Sequence, residues 1–161
     1  EPWERATLAQ LSVFEGPFSL EAAEAVVDID HIDGADWALD ALQNLVEKSL
    51  VQALDDERFD LLVSVQVYAA SRLEAEDAFP GSGPAGRRAA EERHGEHFAE
   101  YGHPAALDAL GRRGGHEVRK QLLAQRDNLL VAARRALLPL GALRRRRFIA
   151  SNALNLAPGR S

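Results

Sequence analysis

The chain has 161 residues, 46% of them hydrophobic, no cysteine, and a formal net charge of −6 that combines −14 over residues 1–80 with +8 over residues 81–161. This composition can supply a folded core, but it excludes disulfides and thiol chemistry, and no apolar run approaches the ~20 residues of a membrane span. The opposite charges favour two structural units, and the acidic first half is a poor candidate for binding nucleic acid, whose phosphates repel carboxylates.

Three helices are predicted in the first part of the chain. Apolar residues recur at helical spacing over residues 4–13 and again after Ser19, which stands where an N-cap is expected. A third amphipathic helix is predicted over residues 35–48, with Asp36 and Asp40 on its outward side. Glu-Gly-Pro and a polar, Asp-rich stretch separate the three segments, as turn residues do.

A β-hairpin is predicted next. Residues 49–54 alternate as a strand does, Asp-Asp-Glu forms a turn, and residues 58–63 pair back. A further helix begins near Ser64 with no turn before it, as expected if the second strand leads directly into a helix that packs on the core. Three helices closed by a two-stranded β-wing predict a winged helix over residues 1–77.

The rest of the chain is predicted to be helical. Residues 78–86 are rich in glycine and proline and are predicted to be a linker. Beyond it, residues 87–161 are predicted to form a helical bundle, with helices at 87–102 and 104–111 and one long amphipathic helix over 116–138. The predicted fold class is therefore mainly α, a winged helix followed by a helical bundle.

Four segments follow one another in the chain: LAQLSVFEGPFSLEAAEAVV (residues 8–27), ALDALQNLVEKSLVQ (residues 38–52), RFDLLVSVQVYAASRL (residues 58–73) and QRDNLLVAARRAL (residues 125–137). Together and in this order they resemble the signal-transduction ATPases with numerous domains, the NB-ARC-like bacterial regulators. The resemblance implies an ATPase module before this chain, which alone would bind ATP or ADP, and tetratricopeptide-like helices within residues 87–161. It implies a regulatory arm that packs on its own ATPase module or on another protein.

Several features of that family are missing here. No segment fits G-x-x-x-x-G-K-[ST], so no cofactor is expected in this chain. Residues 61–63 are Leu-Leu-Val, where some relatives have a phosphate-contacting histidine, and Gln66 stands where relatives often have a basic residue. The chain also has no initial methionine or signal peptide, so we expect a piece of a longer, cytoplasmic protein.

Acidic side chains form the candidate protein-interaction surface. Asp36, Asp40 and Glu47 lie on the outward side of the third helix, and Asp55 and Asp56 lie in the wing turn. A recognition helix for DNA needs arginine, lysine or amide side chains and neighbouring cations, so DNA binding is not expected here. The alternative functions are a DNA-binding winged-helix transcriptional regulator and a scaffold that has no switch.

Four consecutive arginines, Arg144, Arg145, Arg146 and Arg147, form a second candidate site. They could meet phosphates or an acidic protein surface, and the alternative is a solvated helix face. Only Phe148 is available nearby to support base stacking.

The remaining polar and aromatic residues favour structural roles. His94 and His97 lack the further ligands that a zinc site needs, so we expect one ring to pack at an interface. Asn128 is predicted to be a buried amide bonded to neighbouring backbone, and Trp37 and Tyr68 are predicted to be core anchors. No nucleophile has a base and an orienting group beside it, so no enzymatic activity is expected.

Overall fold

The computed structural model describes residues 1–35, 37–54 and 57–137. Within them the chain is mainly helical, with eight α-helices, one 3-10 helix and a small three-stranded sheet, which confirms the predicted fold class. In chain order the elements are α1 (Pro2–Leu11), β1 (Phe18–Ser19), α2 (Leu20–Val26), α3 (Ala38–Glu47), β2 (Gln52–Ala53), β3 (Arg58–Asp60), α4 (Val63–Glu74), α5 (Pro84–Ala99), the 3-10 helix (Glu100–Gly102), α6 (Pro104–Ala109), α7 (Gly115–Ala124) and α8 (Arg126–Leu137).

The first three helices enclose an apolar core, as their periodicity predicts. Leu8, Leu11 and Phe14 are all buried on the same side of the first segment. Ser19 begins α2 as predicted, because its hydroxyl oxygen accepts a hydrogen bond from the Ala22 N–H at 3.2 Å. This bond satisfies one of the free N–H groups at the start of the helix.

The sheet contains one strand more than the sequence predicts. The predicted hairpin is present, since β2 and β3 are antiparallel with Gln52 opposite Asp60. On the other side of β3, β1 adds a third antiparallel strand with Phe18 opposite Phe59, and the strand order is β1-β3-β2. The Phe18 ring also stacks on Phe14 at 4.4 Å between centroids, which fixes the chain leading into α2.

The direct passage from strand to helix is confirmed. Only two residues, Leu61 and Leu62, separate the end of β3 from the start of α4. The Leu61 N–H donates to the Asp60 carboxylate at 2.8 Å, and the Leu61 side chain is buried. From there Ala69 and Leu73 pack into the core, which places α4 against α1.

The later helices agree with the sequence except in one place. The helices α5 and α6 lie where they are predicted, but the predicted long helix over 116–138 is wrong, because the structure divides it into α7 and α8 at Gln125. Gln125 has φ −98° and ψ 8°, outside the α-helical region. Its side chain is buried and its Oε1 accepts from the Asn128 amide at 3.4 Å, so the break positions Asn128.

One hydrophobic cluster includes residues on both sides of the predicted linker. Phe14 and Leu73 belong to it together with Ala90 and Phe98 of α5. The division of the chain at residues 78–86 and the tetratricopeptide-like character of the later helices remain predictions. None of the described helices has the length and apolarity that crossing a membrane requires.

Candidate protein-interaction face

The third helix presents a polar and aromatic face to solvent. We call Trp37, Asp40, Gln43 and Glu47 the outer face of α3; all four side chains are exposed. Asp40 and Glu47 therefore lie where the sequence predicts. The other acidic candidates, Asp36, Asp55 and Asp56, lie outside the described residues, as do Arg144, Arg145, Arg146 and Arg147.

The prediction that Trp37 and Tyr68 are core anchors is wrong. Trp37 is 80% exposed because it precedes the first turn of α3 in an extended conformation, with φ −84° and ψ 154°. Tyr68 is 62% exposed on α4, where Val63 and Val67 are exposed as well. Exposed apolar side chains beside carboxylates are more typical of a surface that contacts protein than of one that contacts phosphates.

Two of the four cations in the N-terminal part form hydrogen bonds with other residues. The Lys48 ammonium donates to both carboxylate oxygens of the buried Glu4 at 2.6 Å, and this bond lowers the pKa of Glu4. The Arg58 guanidinium donates to the Ala124 carbonyl at 3.2 Å. Of the four basic residues in this part, Arg5 and Arg72 remain, and both are exposed. Two exposed arginines provide little positive charge for binding a polyanion such as DNA.

Polar side chains of α4, α5 and α8 bind backbone groups in the first part of the winged helix. We call this set the polar seam. It is built mainly from the side chains of Gln66, Arg93, Asn128 and Arg135, and its backbone partners lie within residues 12–26.

Asn128 is the best satisfied member of the polar seam. Its Oδ1 accepts from the Glu15 N–H at 2.8 Å, and its Nδ2 donates to the Pro17 carbonyl at 3.0 Å. The side chain is fully buried, so both bonds satisfy amide atoms of Asn128 that would otherwise lack partners away from water. The prediction of a buried amide bonded to backbone is confirmed.

Two arginines extend the polar seam on either side. Arg93 on α5 donates through Nε to the Val26 carbonyl at 2.6 Å and through Nη2 to the Gln10 side chain at 2.7 Å. Arg135 on α8 donates to the Val13 carbonyl at 2.9 Å. Burial lowers the pKa of Arg135, partly offset by the charge of Glu91. The two arginines therefore attach the later helices to both ends of the stretch from Val13 to Val26.

Gln66 joins the polar seam from within the winged helix. Its amide nitrogen donates to the Phe14 carbonyl and, at 3.5 Å, to the Ser12 carbonyl. The Gln66 side chain is thus used for an internal contact. The Gln66 amide satisfies backbone carbonyls that follow α1.

His94 lies beside the polar seam as a packed, neutral ring. It is completely buried, edge-on to Phe14 at 5.1 Å between centroids. Burial, with the nearby charge of Arg135, lowers the pKa of His94 from 6.5 to about 3. The expectation that one ring of the histidine pair packs at an interface is confirmed. Among the described residues no group of three or more suitable side chains could hold a metal ion.

Sequence reasoning found Asn128 but missed Arg93 and Arg135. Arginine in an amphipathic helix is usually solvated, and nothing local distinguishes these two from their neighbours. One signal was available, because Asn128 and Arg135 are seven residues apart and so lie on the same face of α8. Two polar residues on a helix face that also carries Leu129 and Ala132 indicate that their side chains form hydrogen bonds inside the protein.

Comparison with known proteins identifies the N-terminal part. Residues 1–74 match the family model of the winged helix-turn-helix domain, which agrees with the order and packing of α1 to α4. No curated protein and no solved structure matches the chain. A winged helix-turn-helix domain is a module of DNA binding or of regulation more generally.

Proposed function

We propose that the winged helix-turn-helix domain of residues 1–74 binds protein, and that the chain is a non-catalytic regulatory arm. In this proposal it couples a preceding nucleotide-binding module to a helical sensor region of a multidomain bacterial signalling ATPase. The observation that carries the proposal is the pair of bonds from Asn128 to the backbone of Glu15 and Pro17. Because they join α8 to the domain, a displacement of one would be passed to the other.

The charge of the domain supports a protein partner. Residues 1–74 contain 16 acidic and 4 basic residues, and Asp40 and Glu47 are exposed on α3, the helix that would have to approach a DNA groove. Trp37, exposed on the same face, adds an aromatic group of the kind enriched at protein interfaces. Binding of DNA through this face would be opposed by charge repulsion.

The proposal assigns no cofactor and no catalytic residue to this chain. Gln66 donates its amide to backbone carbonyls, so it is not directed toward a phosphate. Leu62 and Val63, exposed at the start of α4, offer only apolar atoms to a neighbouring module. We therefore place ATP or ADP in a preceding module only.

A DNA-binding transcriptional regulator is the second candidate function. The family match favours it, since the helix-turn-helix places α3 where a recognition helix lies. Gln43 is exposed on that helix and carries an amide that can pair with adenine. The acidic neighbours Asp40 and Glu47 weigh against it.

A DNA-binding assay separates the two candidates. Fluorescence anisotropy with a pool of random duplexes at about 20 mM salt should show no binding up to about 100 µM protein, the weak end of non-specific affinity. Binding that weakens steeply with salt, and that is weaker for the Gln43→Ala variant, would establish the DNA-binding regulator instead.

Charge reversal tests the regulatory arm in the intact protein. Replacing Asp36 and Asp40 by lysine should change nucleotide-dependent activation, because this surface would meet different partners in the two states. The matched control reverses Glu24 and Glu96, which are also exposed but lie on α2 and α5. Circular dichroism of the 161-residue chain should be unchanged in both variants. Equal activation of all three proteins would refute the role of this surface.

A further inference from the structure

A cavity of about 400 Å³ lies between α2, the end of α5, α6 and α7. This volume is within the range of sites for small ligands. Its apolar wall comes from α6 and α7, where Ala106, Val118 and Leu122 line it. The opposite wall comes from α2, which belongs to the winged helix, and from the end of α5 and the 3-10 helix.

The polar wall of the cavity is acidic and aromatic. Glu21 from the first turn of α2 and Glu100 from the 3-10 helix both line it, together with His97 and Tyr101. No lysine or arginine is among the lining residues. Within the part of the chain that the structure describes, neither carboxylate has an ion-pair partner.

The two aromatic groups in this wall carry no charge near neutral pH. Burial lowers the pKa of His97, although the carboxylates of Glu21 and Glu100 act in the opposite direction. Burial, followed by the charge of Glu21, raises the pKa of Tyr101. The charge of the cavity wall is therefore that of its two carboxylates.

His97 also has an unused hydrogen-bonding atom. Its Nε2 is buried and has no hydrogen-bond partner among the described residues. The ring itself is held edge-on to Phe98 at 5.0 Å and to Tyr101 at 6.2 Å between centroids. A buried polar atom without a partner is uncommon in native structures.

We propose that this cavity binds a small organic cation, an ammonium or guanidinium group carried on an apolar body. Glu21 and Glu100 supply the opposite charge, the Tyr101 ring lines the same wall, and the walls of α6 and α7 receive the apolar body. A bare metal ion fits less well, because it needs three or four converging ligands and the described residues form no such group.

Titration calorimetry of the full chain with phenethylamine at pH 7 tests this site. The matched ligand is 2-phenylethanol, which replaces the ammonium by a neutral hydroxyl on a body of similar size. We expect one phenethylamine per chain and affinity for the alcohol at least about tenfold weaker, the scale of one charge-assisted bond. Equal affinities, or no binding of phenethylamine up to about 10 mM, would overturn the proposal.

Two double variants separate the site from the net charge of the chain. Glu21→Gln with Glu100→Gln should weaken phenethylamine at least about tenfold and leave 2-phenylethanol unchanged. Glu24→Gln with Glu96→Gln removes the same charge from exposed residues that do not line the cavity, and should leave both affinities unchanged. An equal loss in the two double variants would show general charge attraction and would refute the site.

A third ligand identifies the source of the cation. N-acetyl-argininamide carries a guanidinium as a polypeptide would present it. Tighter binding of this compound than of phenethylamine assigns the cavity to an arginine side chain, and the reverse assigns it to a free amine. Both results support the proposal, provided that the Glu21→Gln, Glu100→Gln variant loses the binding.

Discussion

The polar seam and the outer face of α3 use similar side chains in opposite ways. In the seam, the amide of Asn128 and the guanidinium of Arg135 are withdrawn from water and bonded to backbone carbonyls or N–H groups. On the outer face, the side chains of Gln43 and Glu47 are exposed to solvent. Buried polar groups need specific partners, whereas exposed ones are available to a second molecule. The polar seam therefore fixes the later helices on the domain, and the outer face of α3 is available for a partner.

The two regions also differ in how strongly they constrain the fold. Around residues 12–17 the chain leaves α1 without regular structure, so its carbonyls need partners that only a few correctly placed side chains can provide. The outer face imposes no such constraint on the fold. Substitutions in the seam should therefore change stability, and substitutions on the outer face should change only binding.

The largest effect is expected for Asn128→Ala. The substitution leaves the Glu15 N–H and the Pro17 carbonyl without their side-chain partner. Each unsatisfied group costs about 1–3 kcal/mol, so we expect the free energy of unfolding to fall by about 3 kcal/mol. Urea denaturation followed by circular dichroism measures this change.

The adjacent residue supplies the control for that variant. The Asp127 side chain is 55% exposed. Among the described residues, its ion pair is with the adjacent Arg126. Asp127→Ala should change stability by less than about 0.5 kcal/mol. Equal losses for the two alanine variants would mean that the seam does not hold α8 on the domain.

The second effect concerns pH and His94. The folded protein holds this ring neutral, with a pKa lowered to about 3 by burial and by Arg135, against an ordinary value of 6.5. Below pH 6.5 the unfolded chain takes up a proton that the folded protein does not, so stability is lost as pH falls, by up to about 1.4 kcal/mol per pH unit. Between pH 7 and pH 5 this loss amounts to about 2 kcal/mol.

The variant His94→Gln isolates this contribution. The amide cannot titrate, so the difference in free energy of unfolding between wild type and variant should shrink as pH falls from 7 to 5 and stay constant above pH 7. Denaturation curves at several pH values measure it. A constant difference across the whole range would show that His94 is protonated in the folded protein as easily as in the unfolded one.

The sequence predicted elements better than it predicted which side of them is buried. Periodicity placed α1 to α4 and the hairpin, because the apolar faces of Leu8, Leu11, Ala69 and Leu73 recur at regular spacing. It misplaced Trp37, since a large aromatic residue one position before a helix has the same spacing whether it turns inward or outward.

Long-range features had no local signal. The strand β1 is two residues long and exists because Phe18 pairs with Phe59, which lies far along the chain. The break at Gln125 contains neither proline nor glycine, and it positions Asn128, whose bonds reach Glu15 across the structure. The acidic outer face was predictable in its composition, while Arg93 and Arg135 in the seam were not, because only the packed structure shows what they reach.

A smaller effect distinguishes two glutamines. Gln66 belongs to the polar seam, so Gln66→Ala leaves the Phe14 carbonyl without its partner, and the expected loss is about 1 kcal/mol. Gln43 on the outer face is exposed, and Gln43→Ala should cost less than about 0.5 kcal/mol. Thermal unfolding of both variants provides the comparison. A larger loss for Gln43 than for Gln66 would reverse the assignment of the two surfaces.

The smallest effect is expected for Trp37→Ser, and the second tryptophan provides its control. Trp37 is 80% exposed on the outer face, so its removal should change the free energy of unfolding by less than about 0.5 kcal/mol. Trp3 is partly buried against a second apolar cluster that contains Ile29 and Ile32, and Trp3→Ser should cost about 2 kcal/mol. Urea denaturation of both variants measures the contrast. If Trp37→Ser were as destabilising as Trp3→Ser, the indole would be part of the fold, and the outer face would lose the aromatic group proposed for partner binding.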